Sequence, residues 1–497
     1  MNESAQSLQA PDESENREMP FSLPLLADGS PARLVTLFGR LGPEGQRRVR
    51  YVFDKGDPDY FATEISADAP LASIASQAPA AAWFEREMHD QYGFEILKRP
   101  DLRPLVFHGN WPDNVHAMAD DVTDVPWVQR DYQFLQVQGE GITEVAVGPV
   151  HAGIIEPGHF RFSVVGDTVL HLELRHFHTH KGTEKLFEGR TAGDGVMLAE
   201  SVSCDNCFAH AVAYCQAVEN ACSASLPARA AALRLIGLEL ERLVCHVSDF
   251  GGLCTDVGFI VGAALATRIK ENLLQASARC CGTRYWRGVA VPGGLRLDLD
   301  SAAVTRLTQS VEESVGEFRD LAHVVLETPS IQNRFEGAGI LKKNIARDLA
   351  VVGVVARASG VDLDVRRDHP SGHYGLVQTA VPVLHYGDVM ARARIRVEEV
   401  NVSARLIREA TDALPPGPVR ALAQMTAPVS GASAVESPRG ELYYWIEGRE
   451  DRLTRCHIKS PSFQNWPAMP FAVVENMIAD FPLINKSFNL SYSGCDR

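Results

Sequence analysis

The sequence predicts an α+β protein: a small N-terminal α+β domain followed by a larger, mainly helical-bundle domain flanked by small β-sheets. Three observations carry this expectation. At 497 residues the chain exceeds the length that a single hydrophobic core usually serves, so two domains are expected. Near the start, Arg48-Val49-Arg50-Tyr51-Val52-Phe53 alternates polar and apolar residues as a half-buried strand does. From about residue 200 onward, long stretches instead carry apolar residues at helical spacing.

In chain order, residues 1–20 read as a disordered tail, polar and acidic without an apolar core. Residues 21–112 form the first domain, with strands at Leu34-Val35-Thr36-Leu37-Phe38 and 48–53 and a helix from Ala80 to Tyr92 that Gly93 ends. Residues 113–128 are acidic, contain Pro126 and lack apolar periodicity, which predicts a linker. The second domain, 129–497, opens on strands at 160–165 and 169–174. Helices are predicted at about 200–222, 227–248, 255–278, 302–326, 342–355 and 386–413. Strands return at 441–446 and 453–458, and no internal repeat is visible.

Composition excludes several classes. Hydrophobic and charged shares of 45% and 22% are those of an ordinary globular protein. A net charge of −15 argues against unaided binding to nucleic acid or an anionic membrane surface. Apolar runs are too short to span a bilayer, and Met1 to Glu18 does not resemble a secretion signal. Ten cysteines then suggest reduced cytosolic thiols rather than a disulfide framework. No Gly-x-Gly-x-x-Gly lies between a strand and a helix, so nothing supports NAD binding by this chain.

The cysteines draw attention first. Cys204-Asp205-Asn206-Cys207 sits near the start of the helical stretch 200–222, and Cys495 lies two residues from the end. Two thiolate pairs from distant parts of a chain make a soft-metal cage. Here the second pair is incomplete, because Tyr492 stands three residues before Cys495. Cys204, Cys207, Ala211, Cys215, Val218 and Cys222 also recur every three or four residues, as one apolar helix face. Packed thiols and metal-holding thiols both fit this spacing, and His210 fits either a ligand set or a core. His176, His178 and His180 alternate as one face of a strand would.

Several segments go beyond generic patterns. Trp83-Phe84-Glu85-Arg86-Glu87-Met88-His89-Asp90-Gln91-Tyr92-Gly93, followed by His108-Gly109-Asn110-Trp111-Pro112, resembles the signature of the C-type component of respiratory complex I. Gly148-Pro149-Val150-His151, His180-Lys181-Gly182-Thr183-Glu184-Lys185-Leu186, and Arg357 through Arg366 resemble the D-type component of that NADH:quinone oxidoreductase. So do Ser437-Pro438-Arg439-Gly440-Glu441 and Ser460-Pro461-Ser462-Phe463. A fusion with the C-type part first is similar to the large subunit of formate hydrogenlyase, hydrogenase-4 and other group 4 membrane-bound [NiFe] hydrogenases. The resemblance covers nearly everything after residue 20.

The resemblance implies where a Ni–Fe centre would be held. Active members use two Cys-x-x-Cys pairs; anchored on His210 and on Asp496-Arg497, these positions fall on Ser203, Asn206, Ser491 and Gly494. None carries a thiol, and a hydroxyl, an amide and a bare glycine are poor ligands for that metal. No Ni–Fe centre is therefore expected. A rival reading shifts the cage one place onto Cys204, Cys207 and Cys495, but one residue turns a helical side chain by about 100°. Glu156, in Glu156-Pro157-Gly158-His159-Phe160-Arg161, matches the proton-carrying glutamate of hydrogenases; a capped or salt-bridged loop carboxylate is the plain alternative. His151 matches the first histidine of the complex I quinone loop, while the second position, four residues on, is Ile155. Arg357 and Arg366 match arginines lining the former metal cavity, or else pair with Asp362 or Asp364. Implied partners are a small subunit carrying a [4Fe-4S] cluster and membrane ion-translocating subunits, with quinone as a possible acceptor. The implied place is cytoplasmic, peripheral to the inner side of the cell membrane. A structural subunit without turnover remains the third reading.

Overall fold

The computed structural model describes residues 22–42, 45–56, 59–119, 122, 125–152 and 155–497, so the expected tail over 1–20 lies outside it. Within it the chain forms two compact units, dividing between Tyr132 and Gln133.

The smaller unit is a three-stranded antiparallel sheet in the order β1 (Arg33–Leu41), β2 (Arg47–Asp54), β3 (Phe61–Ser66), backed by helix α1 (Ala81–Tyr92). Phe84, Met88 and Tyr92 give α1 its apolar face at i, i+4, i+8. Glu85 and Asp90 of the quoted signature are also buried, and each holds a loop. Glu85 accepts from Ser73 Oγ (2.6 Å) and Ile74 N (2.8 Å), and Asp90 accepts from Leu105 N and Val106 N (both 2.8 Å). Gly93 ends the helix at φ +69°, where a Cβ would lie 2.5 Å from the His116 imidazole. That contact bears on 113–128. Two described residues of that stretch bond to this unit's helix: Met118 N donates to Gln91 O (2.9 Å) and His116 Nδ1 to Asp90 O (3.0 Å).

The larger unit is built around α3 (Ala228–Asp256), which packs against α4 (Ile260–Cys281) and α6 (Val389–Asp412), with α5 (Ser301–Leu326) beyond them and α2 (Cys207–Ala221) alongside. Two antiparallel three-stranded sheets flank the bundle: β4 (Ile142–Val147), β5 (His159–Val165), β6 (Thr168–Arg175), and β7 (Val429–Ser437), β8 (Gly440–Arg449), β9 (Arg452–Lys459). No helix among the described residues is long and apolar enough to cross a membrane.

Three expectations need correction. The helix predicted at 200–222 is interrupted: a helix ends at Glu200, Ser203 is extended (φ −146°, ψ 123°), Cys204–Asn206 makes a single 3-10 turn, and α2 begins at Cys207. Ser203 gives its hydroxyl to Asp205 (2.6 Å), and the Glu241 carboxylate takes the free N–H groups of Phe208 (2.7 Å) and Ala209 (2.9 Å), so the helix starts there. The helix predicted at 342–355 is two short ones, Lys343–Asp348 and Gly353–Ala358; Asn465 pairs with both N–H and C=O of Val352 and keeps the join extended. The histidine alternation is not a strand face, because β6 stops at Arg175 and Phe177 turns to φ +68°.

Candidate functional site

The Ser203 loop and the end of the chain meet in the larger unit. Ser203 Oγ and Ser491 Oγ are 3.0 Å apart and share a hydrogen bond. Ser491 Oγ accepts from Gly494 N (2.8 Å), capping the terminal helix Tyr492–Asp496. A Cβ on Gly494 would lie 3.1 Å from Ser491 Oγ and 3.3 Å from Ser203 Cβ. Asn206, 2% exposed, donates through Nδ2 to Ser437 Oγ (3.4 Å), and its Oδ1 has no hydrogen-bond partner among the described residues. Ser203, Ser491 and Gly494 thus form one cluster although 288 residues separate the two serines. Asn206 is buried on the next turn of the same loop.

Neighbouring groups pin this meeting point. Asp496 Oδ2 accepts from Thr179 N (2.9 Å) and Oγ1 (2.7 Å), and His180 Nδ1 donates to Asp496 O (2.6 Å). Lys181 Nζ reaches Val202 O (3.3 Å) and Ser493 Oγ. Burial, countered by Glu156 and Asp496, lowers its pKa from the usual value. Glu156 Oε2 accepts from Ser493 N (2.9 Å), which puts this carboxylate at the wall of the cluster. His151 is one step removed: its Nε2 donates to Gly158 O (2.7 Å). His210, fully buried, lies 2.7 Å from Tyr444 Oη through Nδ1, and burial drives its pKa to about 3, so the ring is neutral.

The cysteines do not build a cage. Cys207 Sγ donates to Tyr285 O (3.4 Å), Cys204 is exposed and Cys495 buried, and no three His, Cys, Asp or Glu side chains among the described residues converge on a metal-sized position. The residues at the four family positions do not fit a Ni–Fe group either: two hydroxyls bond to each other, an amide bonds to Ser437, and the fourth position has no side chain.

Arg357 has carboxylate partners of its own. It is fully buried between Glu399 (2.7 Å), Glu436 (2.9 Å) and Asp364 (3.4 Å). Arg366 pairs with Asp364 (2.7 Å) and Glu239 (3.1 Å), whereas Asp362 takes Arg367 (2.6 Å) at the surface. Arg439 is the guanidinium that faces the Ser203 loop, binding Asp205 and Asp249 at 2.5 Å each. Burial works against the charge on Asp249; Arg439 and Arg396 more than offset it and hold its pKa at about 2. His246 Nε2, 2.8 Å from Glu399, continues the buried polar contacts from α3 to Arg357. Arg439 stood inside a quoted motif but had no role assigned from the sequence. A signal existed for one partner, since Glu239, Arg242, His246 and Asp249 recur at helical spacing along α3.

A small α+β unit joined to a helical unit whose internal loop meets the chain end has the build of a fused respiratory-complex or hydrogenase large subunit. Residues 33–124 match the family described as respiratory-chain NADH dehydrogenase, 30 Kd subunit, and residues 256–432 and 422–497 the corresponding 49 Kd subunit. Formate hydrogenlyase subunit 5 of Escherichia coli (strain K12) is 34% identical over 468 residues, 91% of this chain and 82% of that protein. Hydrogenase-4 component G of the same organism is 33% identical, covering 87% of this chain and 77% of its own length. NADH-quinone oxidoreductase subunit 4 of Thermus thermophilus is 29% identical, covering 71% of this chain and 93% of its own. Among solved structures, a chain of the membrane-bound sulfane sulfur reductase, an archaeal respiratory membrane complex, shares the fold with a TM-score of 0.68 at 24% identity, over 72% of this chain and 99% of that one. The chain belongs to the family of large subunits that includes formate hydrogenlyase subunit 5 and hydrogenase-4 component G.

Proposed function

We propose that this chain is the large subunit of a membrane-associated oxidoreductase, related to group 4 hydrogenases and complex I, that works without a Ni–Fe centre. The observation that carries this is the meeting of Ser203, Ser491 and Gly494, with Asn206 beside them: the site assembles, but with oxygen and amide groups where a soft metal needs thiolates. Electrons arrive from a [4Fe-4S] cluster in a small partner subunit and leave to quinone or another acceptor. Membrane ion-translocating subunits dock on the complex at the inner side of the cell membrane. Glu156, against Ser493 N, exchanges protons with the site. His151 tunes the loop that carries Glu156, and Arg357 contributes electrostatically through the buried charges.

Glu156→Gln in the intact complex tests this reading. Gln keeps an acceptor for Ser493 N but cannot carry a proton, so turnover with quinone should fall at least tenfold while the complex still assembles. Unchanged turnover would remove Glu156 from the mechanism. Complexes that assemble but turn over with no acceptor would leave the structural-subunit reading, and hydrogen-dependent dye reduction would restore the hydrogenase one.

A further inference from the structure

Arg357 belongs to a buried cluster whose charges do not balance. Four carboxylates (Glu239, Asp364, Glu399 and Glu436) meet three guanidiniums (Arg242, Arg357 and Arg366), and none of these side chains belongs to a residue more than 3% exposed. The neighbouring ion pairs have no cation to spare. Arg396 and Arg439 are taken by Asp249 and Asp205, two against two, and Lys459 by Glu441. An uncompensated charge away from water is costly, so one more positive charge belongs in the cluster. A proton supplies it without needing room.

The donors around each carboxylate place that proton. Glu239 accepts from Tyr374 Oη (2.5 Å), Ser403 Oγ (2.6 Å) and two guanidiniums. Asp364 takes Nε (2.9 Å) and Nη2 (2.7 Å) of Arg366 and its backbone N–H (3.0 Å). Glu399 takes Arg357 (2.7 Å) and His246 Nε2 (2.8 Å). Glu436 has only Arg357 Nη1 (2.9 Å) and Val365 N (3.2 Å), the poorest set of the four. His246 is the other candidate. Its Nδ1 has no partner among the described residues, so a charged ring would bury an N–H without an acceptor.

Glu436 stands near the end of β7, and Arg242 donates to its C=O (2.6 Å) and to that of Ser437 (2.9 Å), where the chain turns through Arg439 into β8. We propose that Glu436 holds one buried proton that keeps the cluster neutral, and that loss of this proton to water at alkaline pH loosens the 437–441 turn carrying Arg439. Besides the groups already named, Glu441 lies opposite Glu436 on β8, held by Lys459, and α2, packed on β7, carries the neutral His210. Burial first, and Asp364 next, raise the Glu436 carboxyl above its ordinary range; Arg357, Arg242 and Arg366 offset this only in part. Burial also works against the charge on Glu239, Asp364 and Glu399, but there the guanidiniums win and the groups stay ionised. A carboxyl raised in the fold stabilises it at low pH and loses that stabilisation as pH climbs through the folded value.

Infrared and hydrogen-exchange measurements on the full chain test this without turnover. A protonated-carboxyl band is expected at about pH 6, missing from Glu436→Gln and fading as pH rises. Amide exchange over 437–441, corrected for its intrinsic pH dependence, should quicken at least about tenfold between about pH 6 and about pH 9 in the parent. In Glu436→Gln, neutral throughout, it should stay level. Should glutamine prevent folding, Glu436→Asp keeps the carboxyl and is expected to displace the band; an unmoved band would count against the proposal. No Glu436-dependent band, or exchange that quickens equally in folded Glu436→Gln, would overturn it. Such a failure leaves the proposed redox role standing, and absent redox turnover leaves the buried proton standing.

Discussion

At the scale of single residues, Arg439 organises the site. It ties Asp205, on the loop bearing Ser203, to Asp249 on α3, and both it and Asp249 are almost fully buried. Removing one member of a buried pair leaves the other charge uncompensated, so Arg439→Met should destabilise the larger unit by about 3–5 kcal/mol in denaturant unfolding. The Asp249 pKa sets a pH dependence. Its folded value is about 2, below the ordinary 3.8, so its stabilisation is complete above about pH 4 and is lost as pH falls toward 2. A shift of that size corresponds to about 2 kcal/mol. Acid unfolding of Asp249→Asn should therefore show a shallower loss over that window than the parent. Family spacing laid on His210 and Asp496 leads by resemblance to Ser203, Asn206, Ser491 and Gly494. It did not show Asp205–Arg439, because that pair joins residues 234 apart and only the fold brings them together.

At the scale of elements, the long helices were legible because their apolar faces repeat over many turns, as in α3, α5 and α6. Breaks in helices were not, since tertiary partners make them: Glu241 starts α2, and Asn465 holds Val352 extended. β7 was missed for a related reason. Its Val429-Ser-Gly-Ala-Ser-Ala segment is small-sided because it lies against α2; a Cβ on Gly431 would sit 2.3 Å from Ala217 O. Gly353 is the site's own example. It adopts φ +70°, and a Cβ there would lie 2.3 Å from Arg439 O. Gly353→Ala should cost about 1–3 kcal/mol and speed amide hydrogen exchange over 437–441, because the Arg439 turn has to move. Unaltered exchange there would mean the glycine only relieves local backbone strain.

At the scale of the molecule, length and pattern anticipated two units, and each has its own buried core: Phe53 and Phe84 in the smaller, Phe208 and Phe250 in the larger. The boundary was less legible, since 113–128 is polar like a linker yet His116 and Met118 within it hydrogen-bond to α1. A fragment comprising residues 133–497 should fold cooperatively by itself, giving one thermal transition with native-like near-ultraviolet dichroism. The proposed role turns on the residues at the meeting point: Ser203, Asn206, Ser491 and Gly494. Elemental analysis of the intact complex, purified without oxygen, tests that most directly. The account predicts no stoichiometric nickel; one nickel per chain would contradict it.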